Sequence, residues 1–227
     1  MKKFLILMVL SFIALPAFAT EESLVSLTKQ QKVINEVGFR ILNANKIETR
    51  TNFYYKPTTK VVNAWSRMTD RQITVTKGIL AYIDSDDELA ALLSHEISHS
   101  VDSYDGAFKG FFMPVKYSFA PKKYETKADK RAVDYMVNAG YNPVAIIVLF
   151  NKLMTQTRYD WYLTHPLSSI RMATVYEYIY RKYPAYLANN KYANNIYYQN
   201  FLLTSQNNRQ KLQKSVQTNS KKKIKYN

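Results

Sequence analysis

The sequence predicts a mainly helical α+β domain, and three observations predict it. Apolar residues recur at helical spacing in the first part of the chain, as at Leu24, Leu27, Val33, Val37 and Ile41. From Ile47 to Ile83 the pattern changes to short β-rich runs. Beyond them, "LLSHEISHS" (Leu92 to Ser100) places polar residues on one side of a helix. Leu89, Leu93, Ile97 and Val101 form an apolar ridge on the other side. A length of 227 residues suits one ordinary domain with tails. With 47% hydrophobic residues, 19 Tyr and 11 Phe, there is material for a core, which excludes disorder throughout.

The chain opens with "MKKFLILMVLSFIALPAFAT". Lys2 and Lys3 precede an apolar run from Phe4 to Leu15. Pro16 and the small-residue triplet Ala17 to Ala19 then read as a signal-peptidase site. This predicts a cleaved secretory signal over residues 1–19 and a mature start at Thr20; an uncleaved anchor is the alternative. The double-Lys start resembles bacterial signals, so the expected location is the periplasm, with a soluble mature protein. The longest other apolar run, Val144 to Phe150, is too short to span a bilayer. There is no cysteine, so no disulfide staples an exported chain, and the core or a metal must do that work.

The elements follow in order. Thr20 to Leu42 reads as an amphipathic helix with a break near Thr28. "TRTNFYY", "KVVNAW" and "RQITVT" predict a small sheet of three or so strands, with "KPTT" as a hairpin turn between the first two. Asp84 to Val101 reads as a helix started by a capping box, Ser85 and Glu88. Asp102 to Pro121 holds glycines and aromatics and reads as a loop; its section from Phe108 to Phe119 is a candidate lid. Lys122 to Ala139 is a helix closed by Gly140, and Pro143 opens another that runs to about Thr157. A further helix runs from near Pro166 to before Pro184. Residues 206–227 carry seven basic residues and no acid, and read as a disordered tail. The net charge of +15 favours anionic surfaces, and the basic tail is a candidate for contact with anionic lipid or lipopolysaccharide. No nucleic-acid partner is expected.

Two of the three histidines, His95 and His99, stand four residues apart with Glu96 between them, in the pattern H-E-x-x-H. A helix turns about 100° per residue, so residues i and i+4 share a face and the two rings can chelate one ion. Glu96 sits beside that ion as a base. A catalytic zinc takes three protein ligands. Asp105 is one route to the third, but Asp102 stands where a bend would favour glycine. Glu125 is the better candidate. It opens the next helix, and Asp129 follows on the same face, placed to accept a hydrogen bond from a ligand histidine, His95 first. The third histidine, His165, precedes Pro166. It and Arg171 are candidates for stabilising an oxyanion.

Taken together, these motifs resemble the HtpX and CAAX-prenyl-protease type of gluzincin metallopeptidase, and within it the soluble periplasmic BepA-like branch. The match rests on His95 to His99, on Glu125 to Asp129, on His165 with Arg171, and on "VVNAW" ahead of "ITVTKGIL". It spans about Leu24 to Tyr183. The resemblance implies a zincin-like fold, with a zinc metallopeptidase domain over residues 20–205. It implies one Zn2+ per chain held by His95, His99 and Glu125, with Asp129 behind them and Glu96, His165 and Arg171 acting in catalysis. It also implies that Asn63 and Ala64 lie on an edge strand that pairs with an extended substrate. The turn "SRMTDRQ" departs from the small, Gly-containing turn usual there. The expected activity is zinc-dependent hydrolysis of extended or misfolded envelope polypeptides, in the service of protein quality control. The alternative is a zinc-containing envelope chaperone or assembly factor that binds clients with little proteolysis.

Overall fold

The structure, a computed structural model, describes residues 21–48, 50–67, 71–104, 121–154 and 169–227. Helix α1 (Glu21–Ala44) leads into strands β1 (Asn52–Lys56), β2 (Ala64–Arg67) and β3 (Gln72–Thr76). A short helix α2 (Lys77–Leu80) and the long α3 (Asp86–Tyr104) follow. The second half is helical: α4 (Pro121–Asn138), α5 (Ala145–Met154), α6 (Ser169–Lys182), α7 (Ala185–Ala188), α8 (Ile196–Thr204) and α9 (Gln206–Gln217). The mainly helical α+β class with a three-stranded sheet is thus as the sequence predicts. None of the described helices is long and apolar enough to cross a membrane.

Helix α1 runs unbroken through Thr28. Ile34, Val37 and Ile41 are all buried on one stripe, and that shared apolar face keeps the helix continuous where the sequence suggested a break.

The strand order is β1-β3-β2, which overturns the expected hairpin through "KPTT". β1 runs parallel to β3, with Phe53 opposite Ile73 and Tyr55 opposite Val75. β2 pairs antiparallel with β3, with Ala64 opposite Val75. The chain after Lys56 therefore crosses to the far side of β3 before returning. Residues Val61 to Asn63 lie outside the strand and are tied down by Thr76. The Thr76 hydroxyl lies 2.6 Å from the Val61 carbonyl and 2.7 Å from that of Asn63, and accepts the N–H of Ile79 to cap α2. Gly78 makes room for this crossing, since a Cβ there would meet the Lys60 and Val61 backbone at 2.2–2.5 Å.

α3 runs through the centre of the domain, packed against α1, α4, α5 and the sheet. Leu89, Leu93 and Ile97 are buried in the core as their spacing predicts. α4 ends in a Schellman turn. Gly140 is at φ 76, its N–H bonds the Val137 carbonyl, and the Tyr141 N–H reaches the Met136 carbonyl at 2.8 Å.

Residues 206–217 form a helix, against the expectation of a disordered tail. The polar composition hid its anchors. Leu212, Asn208 and Ser215 are buried against the rest of the fold, and Arg209 donates to the Leu202 carbonyl at 2.8 Å. The strap beyond it, Thr218 to Asn227, is held by Tyr226, whose hydroxyl donates to Glu177 at 2.8 Å. The signal segment, the stretch Phe108 to Phe119, Asp105, His165 and the ends predicted at Thr157 and Pro166 lie outside the described residues.

Candidate metal centre

The centre is built from α3, α4 and α6, and its precision starts with how α3 is fixed. At its N-terminus the Ser85 hydroxyl accepts the Glu88 N–H at 3.3 Å, while the Glu88 carboxylate accepts the Asp84 N–H at 3.2 Å. That is the predicted capping box, shifted by one residue on the return bond. The same carboxylate receives Lys152 of α5 at 2.6 Å. Lys152 is buried, and its ammonium also reaches Asp84 at 2.7 Å and the Tyr82 carbonyl at 2.9 Å. Near the other end, Asp102 accepts Lys127 at 2.7 Å and Arg131 at 2.8 Å, both from α4. Arg131 also lies 3.2 Å from the Ser98 carbonyl. These cations offset a carboxylate placed at the unfavourable end of the helix dipole.

Between these anchors α3 presents His95, Glu96 and His99, all buried. The two histidine Nε2 atoms are 3.1 Å apart. Glu125 of α4 faces both, its carboxylate oxygens 3.4 Å from His95 Nε2 and 3.2 Å from His99 Nε2. Among the described residues this is the one group of three whose donor atoms converge as metal ligands would. The distances fit the chemistry. Four ligands on a tetrahedral zinc at about 2.0–2.1 Å stand roughly 3.3–3.4 Å from one another. A triangle of 3.1, 3.2 and 3.4 Å therefore suits one small cation with a further position open.

Behind the triangle, His95 Nδ1 lies 3.0 Å from Asp129 Oδ1, so Asp129 is placed to accept the Nδ1 proton and leave Nε2 facing the centre. Burial pushes the His95 pKa down, but hydrogen bonds and charge from Asp129 and Glu125 outweigh it and raise it to about 9. For His99 burial prevails, reinforced by the charge of His95, and its pKa falls below the ordinary value. Burial would raise Asp129, yet the Arg171 charge, with its hydrogen bonds, holds it low and ionised.

Arg171 of α6 differs from expectation. The sequence reading aimed it at an oxyanion. In the structure its fork is spent on carboxylates: Nη2 and Nε grip Asp129 at 2.6 and 2.8 Å, and Nη1 lies 3.0 Å from Glu125. Its planar group stacks over Phe150, 4.8 Å from the ring centroid. Arg171 thus orients the two acids rather than pointing at a substrate. Phe150 also borders His95, with ring centroids 6.3 Å apart, and forms an apolar wall.

Ala64 opens β2, with Asn63 just before it; β2 is an edge of the sheet and packs against α3. The Asn63 carbonyl accepts the Thr76 N–H at 3.2 Å. By antiparallel alternation Ala64 and Ser66 then turn their backbone groups away from β3. Ala64 is buried, whereas Trp65 and Ser66 are half-buried. The Asn63 side-chain oxygen is buried without a hydrogen-bond partner. Sequence reasoning missed the anchors of α3. A lone lysine inside the apolar run of α5 was the available sign for Lys152.

A small mixed sheet over an H-E-x-x-H helix, with a glutamate from a second helix closing the triangle, is the arrangement of a zincin-like fold. Residues 28–108 match Peptidase family M48, a span that includes His95 and His99 and ends before Glu125. Among curated proteins the chain is similar to the Beta-barrel assembly-enhancing protease of Escherichia coli (strain K12), at 22% identity over 62% of this chain. It is also similar to that of Yersinia pestis, at 24% identity over 62% of the chain. The chain spans about 37% of the length of these relatives.

Proposed function

We propose that this protein is a zinc endopeptidase that cuts extended or misfolded polypeptides of the bacterial envelope, working in the periplasm after loss of residues 1–19. The observation that carries the reading is the buried triangle of His95, His99 and Glu125 with Glu96 beside it on the same helix. Zinc bound there would supply Lewis-acid polarisation of a carbonyl and lower the pKa of water towards neutrality.

The chain's own residues do the rest. Glu96, buried next to His99, takes a proton from the attacking water and returns it to the leaving amine. Asp129 holds His95 in one tautomer, and Arg171 holds Asp129 and Glu125 in register. Asn63, Ala64 and the outward backbone of Ser66 pair with an extended substrate, which needs little sequence preference. His165, outside the described residues, is the proposed oxyanion donor. The envelope as the place of action is supported by the signal-like N-terminus and by the similarity to proteases named for β-barrel assembly.

Glu96→Gln tests this directly. The variant is expected to keep one zinc per chain by elemental analysis while cleavage of a casein-type unfolded substrate falls by at least a thousandfold. Retained cleavage would remove Glu96 from the mechanism. A zinc-replete wild type that cleaves nothing but suppresses client aggregation would favour the chaperone reading.

A further inference from the structure

We infer that the groove between α4, α6 and the C-terminal strap binds the phosphate-bearing headgroup of an anionic membrane lipid. The groove measures about 660 Å³, within the roughly 300–1,000 Å³ of small-ligand sites. Lys123 and Lys130 enter it from α4, and Lys223 enters from the strap. Among the described residues none of these three lysines has a carboxylate partner. The lining carboxylate, Glu177, is already engaged: it accepts Arg181 Nε at 2.8 Å and the Tyr226 hydroxyl at 2.8 Å. The lysines therefore leave an uncompensated positive charge over one concave surface, and an anion is its complement.

Two features favour an amphiphile over a free anion. Ile170, which is 44% exposed, and the half-buried Ile224 line the same groove and offer apolar contact beside the charges. Lys221, Lys222 and Lys225 are exposed on the strap around it, and so extend the cationic surface beyond the groove. Such a surface strengthens binding about fivefold per lysine at an anionic bilayer. The strap is held in place: Lys211 donates to the Lys225 carbonyl at 3.2 Å and Asn208 to the Asn227 carbonyl at 3.1 Å. Lys223 is thus presented by a fixed segment, unlike a charge on a loose tail. The site shares its helices with the metal centre but none of that centre's residues, and it stands apart from the peptidase chemistry.

The test is flotation of the purified protein with vesicles of phosphatidylglycerol in phosphatidylcholine. Wild type is expected to bind these and to leave pure phosphatidylcholine vesicles unbound. The triple variant Lys123→Gln, Lys130→Gln, Lys223→Gln is expected to lose on the order of a hundredfold in partition. A charge-matched control, Lys29→Gln, Lys60→Gln, Lys77→Gln, is expected to lose less than about threefold. Matching circular dichroism melts for the two variants would show that both fold. An equal loss in the control would overturn the groove in favour of diffuse charge. Release of the wild type from vesicles by millimolar glycerol phosphate would overturn the lipid assignment in favour of a small phosphate ligand.

Discussion

The two edges of the sheet are treated in opposite ways. At β1 two of the outward backbone groups are already used: the Gln31 side-chain amide donates to the Phe53 carbonyl at 2.9 Å, and its oxygen accepts the Tyr55 N–H at 2.8 Å. One side chain from α1 thereby imitates a neighbouring strand and closes the edge. At β2, among the described residues, no side chain does this for Ala64 or Ser66. The edge that lies against the metal-centre helix is the one without a plug. A strand edge is ordinarily an aggregation hazard, so the difference teaches that one edge is closed by the chain itself, while the other is left as the proposed pairing with an extended chain would require.

The contrast depends on α3 keeping its station beside β2, so the largest effect is expected from its buried anchor. Lys152→Met leaves the Glu88 carboxylate buried without its cation. Stability should fall by about 3–5 kcal/mol in urea unfolding, with cleavage lost in proportion to the folded fraction. A change under 1 kcal/mol would mean that α3 is held mainly by its apolar ridge.

The next break is at the open edge. Ser66→Pro removes an outward N–H without touching a bond to β3. It should lower kcat/KM for an unfolded substrate by at least tenfold, about 1.4 kcal/mol, with zinc content and melting temperature nearly unchanged. Unaltered kcat/KM would place substrate elsewhere. The smallest effect belongs to the closed edge. Gln31→Ala should cost about 1 kcal/mol of stability, leave kcat/KM unchanged, and raise self-association on size-exclusion chromatography. A loss of activity there would mean that both edges serve the substrate.

These elements also mark how far the sequence could be read. The pairs His95–His99 and Glu125–Asp129 were legible as shared faces because i, i+4 spacing fixes a face on any helix, whatever surrounds it; spacing did not say that the two pairs meet. The Gly140 stop and the Ser85–Glu88 cap were legible for the same local reason. The strand order was not, since "TRTNFYY" and "KVVNAW" carry β propensity but nothing that names a partner; pairing is set by the crossover under Thr76. Gln31, Lys152 and the fork of Arg171 read as ordinary polar residues, because their value lies in contacts with residues at least 22 positions away. The helix 206–217 was hidden by its polarity: beside the buried Leu212 its anchors are Asn208, Ser215 and Arg209, and hydrophobic periodicity does not register these three.

The central claim is that three side chains, two from α3 and one from α4, hold one metal ion. Equilibrium zinc titration of wild type beside Glu125→Gln tests it most directly, because Glu125 lies outside the span matched by the family. One equivalent is expected in the wild type. In Glu125→Gln the affinity is expected to fall by more than about a hundredfold, beyond what loss of a residue behind the ligands costs. The same stoichiometry and affinity in both proteins would contradict the account.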